Sequence, residues 1–423
     1  MPEIKDTGIG WIGKIPIDWD IIKIGGIYSL RNTKVSDRDY PPLSVTMKGI
    51  LPQLETSAKT NDHDNRKLVK KGDFAINSRS DRRGSCGISD YDGSVSLINT
   101  VLKPNMKVVN RYYNWLFHTT EFADEFYKWG HGIVDDLWTT NWQDMKKMSV
   151  PYPSVEKQEA IATFLDVQCS EIDALHADIE KQIGLLEQYK KSVITEAVTK
   201  GLDPYVEMKD SGIEWIGKIP KDWVLSRLKF YLQEPMKYGA SETGVEYSDG
   251  LYRYIRITDI DSNGNLKNDG KLSLTPSQAF GYVLRNDTVL FARSGGTVGK
   301  SFMYKLSYGP SAFAGYLISA VTNIFKLHPK WLLYFTNTSV YWEWVNRIFT
   351  QATIQNIGAD KYSNMPIVIA PIDKQESIIA YLDSKCAEID SAIADKKKQL
   401  EILEAYKKSL IYEYVTGKKE VSV

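Results

Sequence analysis

The chain has 423 residues, of which 43% are hydrophobic and 25% charged, a composition that builds ordinary cores and excludes intrinsic disorder. Its 53 basic residues balance its 53 acidic ones, which excludes a uniformly basic nucleic-acid coat but not local basic patches. No apolar run approaches the roughly 18 residues of a membrane span, and the start does not resemble a signal peptide. Three scattered cysteines favour neither disulfides nor zinc. We expect a cytoplasmic protein that carries no metal.

The first element in chain order, residues 5–19, recurs at residues 209–223 with only three of 15 positions changed. A second pair of matching segments begins with Lys157-Gln158-Glu159 and Lys374-Gln375-Glu376 and continues for about 35 residues in both copies. Self-similarity at nearly fixed offsets indicates a repeat architecture. We call these four segments the repeated frame, and interpret the chain as a tandem duplication with pseudo-two-fold symmetry.

The repeated frame flanks two inserts of different sequence, residues 20–150 and 224–366. The first insert holds 19 Lys and Arg against 16 Asp and Glu, and the second holds 15 against 10. Since the total charge is zero, the frame is acidic or neutral while both divergent inserts are basic. Such segregation favours nucleic-acid binding by the inserts.

A strand that ends in an arginine-bearing loop is predicted in the first insert. Residues 71–79 contain a short apolar run, and a polar, glycine-bearing segment follows. Arginine pairs with the O6 and N7 atoms of guanine, and asparagine or glutamine with the N6 and N7 atoms of adenine. The candidate DNA-binding residues of this loop are Asn77, Arg79, Arg82 and Arg83.

The second insert repeats the pattern, since residues 285–293 form the counterpart of residues 71–79. Its candidate DNA-binding residues are Arg293, Ser294, Thr297 and Lys300, with a further polar patch of Gln351, Gln355 and Asn356. The alternative is an ordinary hairpin loop with solvated arginines. The sequence leaves open whether any one arginine contacts a base or a phosphate.

Two long helices are predicted in the second pair of frame segments. In the first, apolar residues recur every seven positions between 157 and 199, which is the spacing of a coiled-coil stripe. Packed together, the two helices are expected to run antiparallel; the alternative is that each packs on its own domain. The predicted seam consists of Leu165, Ile172, Leu175, Ile179, Leu186, Tyr189 and Val193 on the first helix, and Leu382, Ile389, Ile393, Leu400, Leu403, Tyr406 and Leu410 on the second.

No catalytic motif is complete. Residues 294–301 approach the phosphate-binding pattern G-x-x-x-x-G-K-[ST], but Ser294 occupies the position of its first glycine. The five histidines are dispersed without metal-ligand spacing. We therefore predict no catalytic residue and no metal ligand in this chain.

The duplicated Gly-x-x-Trp-Ile-Gly-Lys-Ile-Pro-x-x-Trp segments, each followed by a variable insert and a long helix that opens with Lys-Gln-Glu, resemble the specificity subunit of a Type I restriction-modification system. The Phe-Ala-Arg-Ser-Gly-Gly-Thr-Val-Gly-Lys segment at 291–300 is also typical of that family. The resemblance spans essentially the whole chain.

The resemblance implies an α+β fold in which two globular target recognition domains of mixed α/β structure are joined by two long antiparallel coiled-coil helices. The expected domains are 1–155 and 201–372, the expected spacer helices are 156–200 and 373–416, and 417–423 forms a tail. Each target recognition domain would recognise one half of an interrupted double-stranded DNA sequence, and the helices would act as a ruler between the halves.

The resemblance also implies a non-catalytic subunit whose partners perform the chemistry. Two modification subunits would methylate adenine with S-adenosylmethionine, and restriction subunits would cut DNA with ATP and Mg²⁺, so this chain itself would hold no cofactor. Two other classes remain open from the residues alone. One is a coiled-coil scaffold with two protein-binding modules, and the other is a nucleotide-binding enzyme that uses residues 294–301.

Overall fold

The computed structural model describes residues 3–53, 63–133, 138–261, 264–350 and 356–421. They form a mixed structure of short strands, short helices and two long helices. Within this part of the chain, no helix has both the length and the apolar character needed to cross a membrane.

The helices of the described residues are α1 (Ile24–Ile27), α2 (Asn110–Phe117), α3 (Thr120–Lys128), α4 (Trp142–Met145), α5 (Val155–Lys200), α6 (Pro276–Ala279), α7 (Pro329–Phe335), α8 (Ser339–Thr350), α9 (Ala359–Ser363) and α10 (Ile372–Val415). The strands before α5 are β1 (Ile4–Asp6), β2 (Lys14–Pro16), β3 (Asp20–Lys23), β4 (Tyr28–Leu30), β5 (Lys34–Val35), β6 (Leu43–Thr46), β7 (Gly49–Pro52), β8 (Arg66–Val69), β9 (Phe74–Asn77), β10 (Cys86–Ile88), β11 (Gly93–Val95), β12 (Asn99–Pro104) and β13 (Ser149–Tyr152). Those after α5 are β14 (Met208–Asp210), β15 (Lys218–Pro220), β16 (Val224–Arg227), β17 (Lys237–Tyr238), β18 (Val245–Glu246), β19 (Tyr252–Ile255), β20 (Leu272–Leu274), β21 (Val289–Ala292), β22 (Ser301–Met303), β23 (Ser311–Phe313), β24 (Leu317–Ala320) and β25 (Pro366–Ile369).

The chain divides into two compact units, each of which combines parts of both long helices with one insert. Unit 1 comprises residues 1–180 and 397–423, and unit 2 comprises residues 181–396. The α+β architecture with two long helices confirms the predicted fold class.

Unit 1 is built on a four-stranded antiparallel sheet of order β10-β9-β12-β4 and a three-stranded sheet of order β11-β8-β5. Helices α2 and α3 follow these strands and supply aromatic residues to the core. The ring of Phe117 lies 4.6 Å from the rings of both Phe74 and Phe122, and all three side chains are fully buried. Phe117 and Phe122 also line a small cavity together with residues 76–78, where β9 ends and the predicted loop begins.

Unit 2 contains two four-stranded sheets, β17-β24-β21-β22 and β18-β20-β19-β23, and the second includes a parallel pair, β19 with β23. Its core centres on Trp331, which is fully buried and donates its indole N–H to the carbonyl of Val368 at 2.9 Å. The ring of Trp223, from the repeated frame, packs edge-on against Trp331 at 5.5 Å. The frame is therefore an integral part of the core.

Within unit 1, the beginning of α5 packs antiparallel against the end of α10. The rings of Phe164 and Tyr414 lie 4.4 Å apart, and the Asp173 carboxylate is 2.5 Å from Lys407 Nζ. Partner numbers on α10 fall as those on α5 rise, which defines the antiparallel direction. The predicted seam residues that are buried or partly buried in this unit are Leu165, Ile172, Ile179, Leu400, Leu403 and Leu410.

The same ion pair recurs within unit 2, where Lys190 Nζ lies 2.6 Å from the Asp390 carboxylate. Lys190 and Asp390 are the repeat counterparts of Lys407 and Asp173, so the duplicated sequence forms the duplicated contact. The predicted seam residues that are buried or partly buried in this unit are Leu186, Val193, Leu382, Ile389 and Ile393.

Three predicted seam residues lie at the margin of the helix pair rather than at its centre. Leu175, Tyr189 and Tyr406 each remain 50% exposed. A straight helix turns every 3.6 residues, so a strict seven-residue stripe drifts by about 20° per heptad from the contact line. These three predicted seam residues are therefore only half covered. Lys396, which interrupts the second stripe, is partly buried and has a partner.

The glutamine of the repeated Lys-Gln-Glu sequence has a structural role. Gln158 and Gln375 are both fully buried. Gln158 accepts a hydrogen bond from the Val109 N–H at 2.9 Å and donates to the Pro153 carbonyl at 2.8 Å. Gln375 accepts from the His328 N–H at 2.9 Å and donates to the Ala370 carbonyl at 2.8 Å. Each glutamine thereby ties the start of a long helix to the insert that precedes it.

The repeated aspartates, about two helical turns after the glutamines, also bind the inserts to the long helices. Asp166 accepts hydrogen bonds from Arg111 and from the indole N–H of Trp115, the latter at 2.8 Å. Asp383 accepts from Lys330 at 2.5 Å and from the Tyr334 hydroxyl at 2.7 Å. In both units a cation and an aromatic donor, four residues apart on α2 or α7, hold the long helix. The frame therefore fixes each insert on its helix by equivalent polar contacts.

The stability of unit 2 is expected to decrease as the pH falls below about 6.5, because of His328. Its Nδ1 accepts a hydrogen bond from the Lys330 N–H at 3.1 Å. Burial, and then the charge of Lys330, lower the pKa of this imidazole, against the opposing effect of Asp287, Glu376 and Asp383. The imidazole of the unfolded chain therefore binds a proton at a higher pH than the imidazole of the folded chain. As a result, the free energy of unfolding decreases as the pH falls from the unfolded pKa towards the lower folded pKa.

Urea unfolding of the wild type and of His328→Asn between about pH 7.5 and 5 checks this expectation. Asparagine can replace the N-terminal capping acceptor but does not titrate. The variant should show a shallower loss of unfolding free energy towards low pH. Equal slopes for both proteins would contradict a contribution from His328.

Candidate nucleic-acid interface

The same strand–loop–strand element occurs in both units at a constant offset of 215 residues. In unit 1 it consists of β9, a 3₁₀ turn at Ser80–Arg82 and β10. In unit 2 it consists of β21, a 3₁₀ turn at Gly295–Thr297 and β22. We call these the unit 1 loop (residues 78–85) and the unit 2 loop (residues 293–300). Two inserts of unlike sequence therefore present the same backbone element.

The backbone corrects the sequence alignment of the two loops by one residue. Pairing residues 71–79 with 285–293 places Arg79 opposite Arg293. In the structure, the Ser78 carbonyl accepts from the Thr140 N–H at 3.0 Å, and the Arg293 carbonyl accepts from the Ile357 N–H at 2.8 Å. The residue equivalent to Arg293 is therefore Ser78, and Arg79 corresponds to Ser294.

A later segment of each insert closes its loop from the side. Arg79 forms an antiparallel bridge with Thr139, and Ser294 forms one with Asn356. Asn356, which was predicted as part of a further polar patch, thus lies next to Ser294 of the unit 2 loop. Gln351 and Gln355, the other two members of the predicted patch, lie outside the described residues.

The arginines of the unit 1 loop already have partners within the protein. Arg83 forms an ion pair with Asp124, and its guanidinium lies 4.8 Å above the ring of Tyr127. Arg82 is 67% exposed and lies 3.8 Å from the carboxylate of Asp81. A phosphate that approaches Arg83 must therefore compete with Asp124.

Asn77 orders the backbone at the start of the unit 1 loop. Its side-chain oxygen accepts a hydrogen bond from the Arg79 N–H at 3.1 Å. Arg79 itself is exposed and has a partner within the chain. Below the loop, Phe126, Tyr127 and Trp138 line a cavity of about 20 Å³. That volume holds about one water molecule and is too small for a nucleobase.

The cations of the unit 2 loop have different surroundings from those of the unit 1 loop. The Arg293 guanidinium lies 4.8 Å above the ring of Tyr238, and its Nε is buried without a hydrogen-bond partner among the described residues. Lys300 is exposed at the far end of the loop, and Thr297 is partly exposed between them. The unit 2 loop thus carries one cation that is stacked on a ring, Arg293, and one that is exposed, Lys300.

Residues 294–301 do not have the geometry of a nucleotide phosphate-binding loop. The amides of Val298, Gly299 and Lys300 donate to the carbonyls of residues 295, 292 and 297 at 3.0–3.1 Å, so they are not available to surround a phosphate. Ser301 begins strand β22 rather than a helix, and its hydroxyl lies 2.6 Å from that of Thr336. A helix N-terminus is what the phosphate-binding motif requires after its lysine.

An exposed apolar side chain lies beside each loop, and sequence reasoning missed both. Ser78 N–H donates to the Ile98 carbonyl at 3.3 Å, and Arg293 N–H donates to the Tyr316 carbonyl at 3.1 Å. Ile98 is 37% exposed and Tyr316 65% exposed. Apolar contacts of this kind suit thymine methyl groups or base faces. Only the long-range backbone hydrogen bonds of the folded chain reveal that these side chains lie beside the loops.

The comparisons with known proteins agree with this architecture. Residues 16–185 match the family model described as Type I restriction modification DNA specificity domain. The MjaVIII specificity subunit of Methanocaldococcus jannaschii, a Type I restriction enzyme subunit, is 23% identical over 434 residues, which cover 96% of this chain and 94% of that relative.

Two solved structures share the fold. A chain from a study of complex assembly and conformational transition in the type I R-M system has a TM-score of 0.74 at 14% identity, covering 96% of this chain and 99% of that one. The HsdS subunit from Thermoanaerobacter tengcongensis has a TM-score of 0.52 at 15% identity, covering 98% of this chain and all of that one. This chain thus shares with both solved structures a fold that, in this protein, divides into two compact units. Residues 16–185 therefore match the DNA specificity domain of Type I restriction-modification systems, and nearly the whole chain is similar to a Type I restriction enzyme specificity subunit.

Proposed function

We propose that this chain is the DNA sequence-recognition subunit of a Type I restriction-modification complex. Each unit would recognise one half of a bipartite double-stranded target through its loop, and the long helices would set the gap between the halves. The observation that carries this proposal is that the unit 1 and unit 2 loops share one backbone but differ in side chains. Equivalent scaffolds with unlike polar side chains are what two different half-sites require.

We further propose that the repeated frame provides two equivalent docking surfaces, one for each of two modification subunits, and that restriction subunits join the complex. The chain itself would perform no catalysis. S-adenosylmethionine, ATP and Mg²⁺ would bind to those partner subunits. The support for this part is the duplication of the frame contacts of Gln158 and Asp166 by Gln375 and Asp383.

Long-read methylation mapping tests the proposed function directly. Cells that carry a Type I modification subunit with this chain should show adenine methylation at one interrupted motif, and cells with the modification subunit alone should not. Exchanging residues 224–366 for another insert should change one half of the motif only. Methylation that does not depend on this chain would overturn the proposal and would favour a protein-binding scaffold.

A further inference from the structure

The backbone of Arg293 is fixed on both sides. Its N–H donates to the Tyr316 carbonyl at 3.1 Å, and its own carbonyl accepts from the Ile357 N–H at 2.8 Å. Arg293 follows directly after β21, a strand whose four residues are all buried. The backbone position from which the Arg293 side chain extends is therefore fixed by the core of unit 2.

Tyr238 lies under this arginine and is itself held at both ends. Its backbone pairs with Ile318 in the β17–β24 ladder, and its hydroxyl accepts a hydrogen bond from the Ala359 N–H at 2.9 Å. The centre of the guanidinium is 4.8 Å from the centroid of the tyrosine ring. Stacking on a fixed ring restricts the plane of the guanidinium, so less entropy is lost when it forms two parallel hydrogen bonds.

The hydrogen-bond donors of Arg293 are unused among the described residues, where it forms no ion pair and its Nε is buried and unpartnered. Other arginines of unit 2 are neutralised: Arg285 by Glu234, Arg256 by Asp259 and Arg347 by Glu343. Partial burial of an unpaired charge is costly until an acceptor arrives. Because its guanidinium is stacked and its donors are unused, Arg293 is suited to bind an external group that offers two acceptors side by side.

We infer that Arg293 recognises a guanine in the half-site read by unit 2, and that Tyr238 is the positioning residue that holds it for this contact. The inference rests on the proposed DNA-recognition function. Guanine offers O6 and N7 as a pair of acceptors in the major groove, which matches a guanidinium held in one plane. A phosphate contact needs no such restraint, and the exposed Lys300 can supply one.

The unit 1 loop also has an arginine stacked on a tyrosine, Arg83 on Tyr127, but Arg83 is paired with Asp124 and does not occupy the position equivalent to Arg293. Ser78 occupies the position equivalent to Arg293, is only 8% exposed, and shares a hydrogen bond with Thr100 at 3.0 Å. The inferred guanine contact therefore belongs to one half-site alone, and the opposite half-site serves as an internal control in every measurement.

The experiment is methylation mapping in cells that carry the modification subunit with the full-length chain or with variants. Arg293→Lys retains the charge but loses the planar fork, and Tyr238→Leu removes the ring but keeps apolar volume. Both variants should lower discrimination at the same guanine position by about 10- to 100-fold while leaving the other positions intact. Tyr238→Phe retains the ring and should restore most of the discrimination that Tyr238→Leu loses.

Arg347→Lys is the matched control, because Arg347 also stacks on a ring, that of Trp215 at 4.4 Å, but is neutralised by Glu343. It should leave the motif unchanged. A wild-type half-site without guanine, or an Arg293→Lys variant that weakens methylation at all sites alike, would overturn the guanine contact. Relaxation by Tyr238→Leu at a different position, or no rescue by Tyr238→Phe, would overturn the positioning role. Absence of any chain-dependent motif in the wild type would instead refute the proposed function.

Discussion

Removal of one heptad from each long helix is expected to shorten the gap in the DNA target by about three base pairs and to leave both half-site sequences unchanged. Seven helical residues rise by about 10.5 Å, and B-DNA rises by about 3.4 Å per base pair. Residues 177–183 and 397–403 are suitable for deletion. They lie between the ion pairs Asp173–Lys407 and Lys190–Asp390, so both contacts are retained. Methylation mapping reads out the new gap.

A five-residue deletion in each helix, 177–181 with 397–401, is the matched control. Five residues turn the helix by about 500°, so the apolar stripe is displaced from the seam, whereas seven residues return it to nearly the same face. The control should lose methylation and unfold at lower denaturant concentration. If the heptad deletion folded normally and the gap kept its original length, the helices would not determine the spacing.

Gln375→Leu is expected to lower the free energy of unfolding by roughly 2–4 kcal/mol, because a fully buried amide is lost together with all its partners. The His328 N–H loses its acceptor, and the carbonyls of Lys326 and Ala370 lose a donor at 3.1 Å and 2.8 Å. Leucine fills a similar volume but satisfies none of these groups. Urea denaturation of the purified chain measures the change.

Two other glutamines provide controls for this measurement. Gln158→Leu removes the equivalent contacts to Val109 and Pro153 in unit 1 and should also destabilise the chain. Gln188→Leu alters an exposed position of α5 and should change the unfolding free energy by no more than about 0.5 kcal/mol. A Gln375→Leu chain as stable as the Gln188→Leu chain would show that the buried hydrogen bonds contribute little.

The repeated frame and the two long helices were predictable because their signals are local or periodic. Matching segments identify the duplication without any structure, and a seven-residue stripe predicts a helix whose one side is covered. α5 extends from Val155 to Lys200, close to the predicted 156–200. The stripe does not predict how deeply each position is buried: Leu175, Tyr189 and Tyr406 remain half exposed, because positions that drift from the contact line of two helices are only partly covered.

The loops were located correctly from sequence, but their internal register was not. Two arginines offered an obvious alignment, whereas the true equivalence of Ser78 with Arg293 depends on backbone hydrogen bonds to residues 140 and 357. The role of Tyr238 was equally hidden, since strand β17 consists of only two residues and pairs with a strand far along the chain. Long-range pairing leaves no periodic signal in a single sequence.

Both loops are held mainly by their own main chain, and this affects how such a protein can diverge. The Ser85 N–H bonds to the Arg82 carbonyl, the Val298 N–H to the Gly295 carbonyl, and the Ile357 N–H to the Arg293 carbonyl. None of these bonds requires a particular side chain, and the cations at Arg82 and Lys300 face solvent. Mutations at these outward positions can accumulate at little thermodynamic cost, so new target preferences can arise by drift without first rebuilding the protein that displays them.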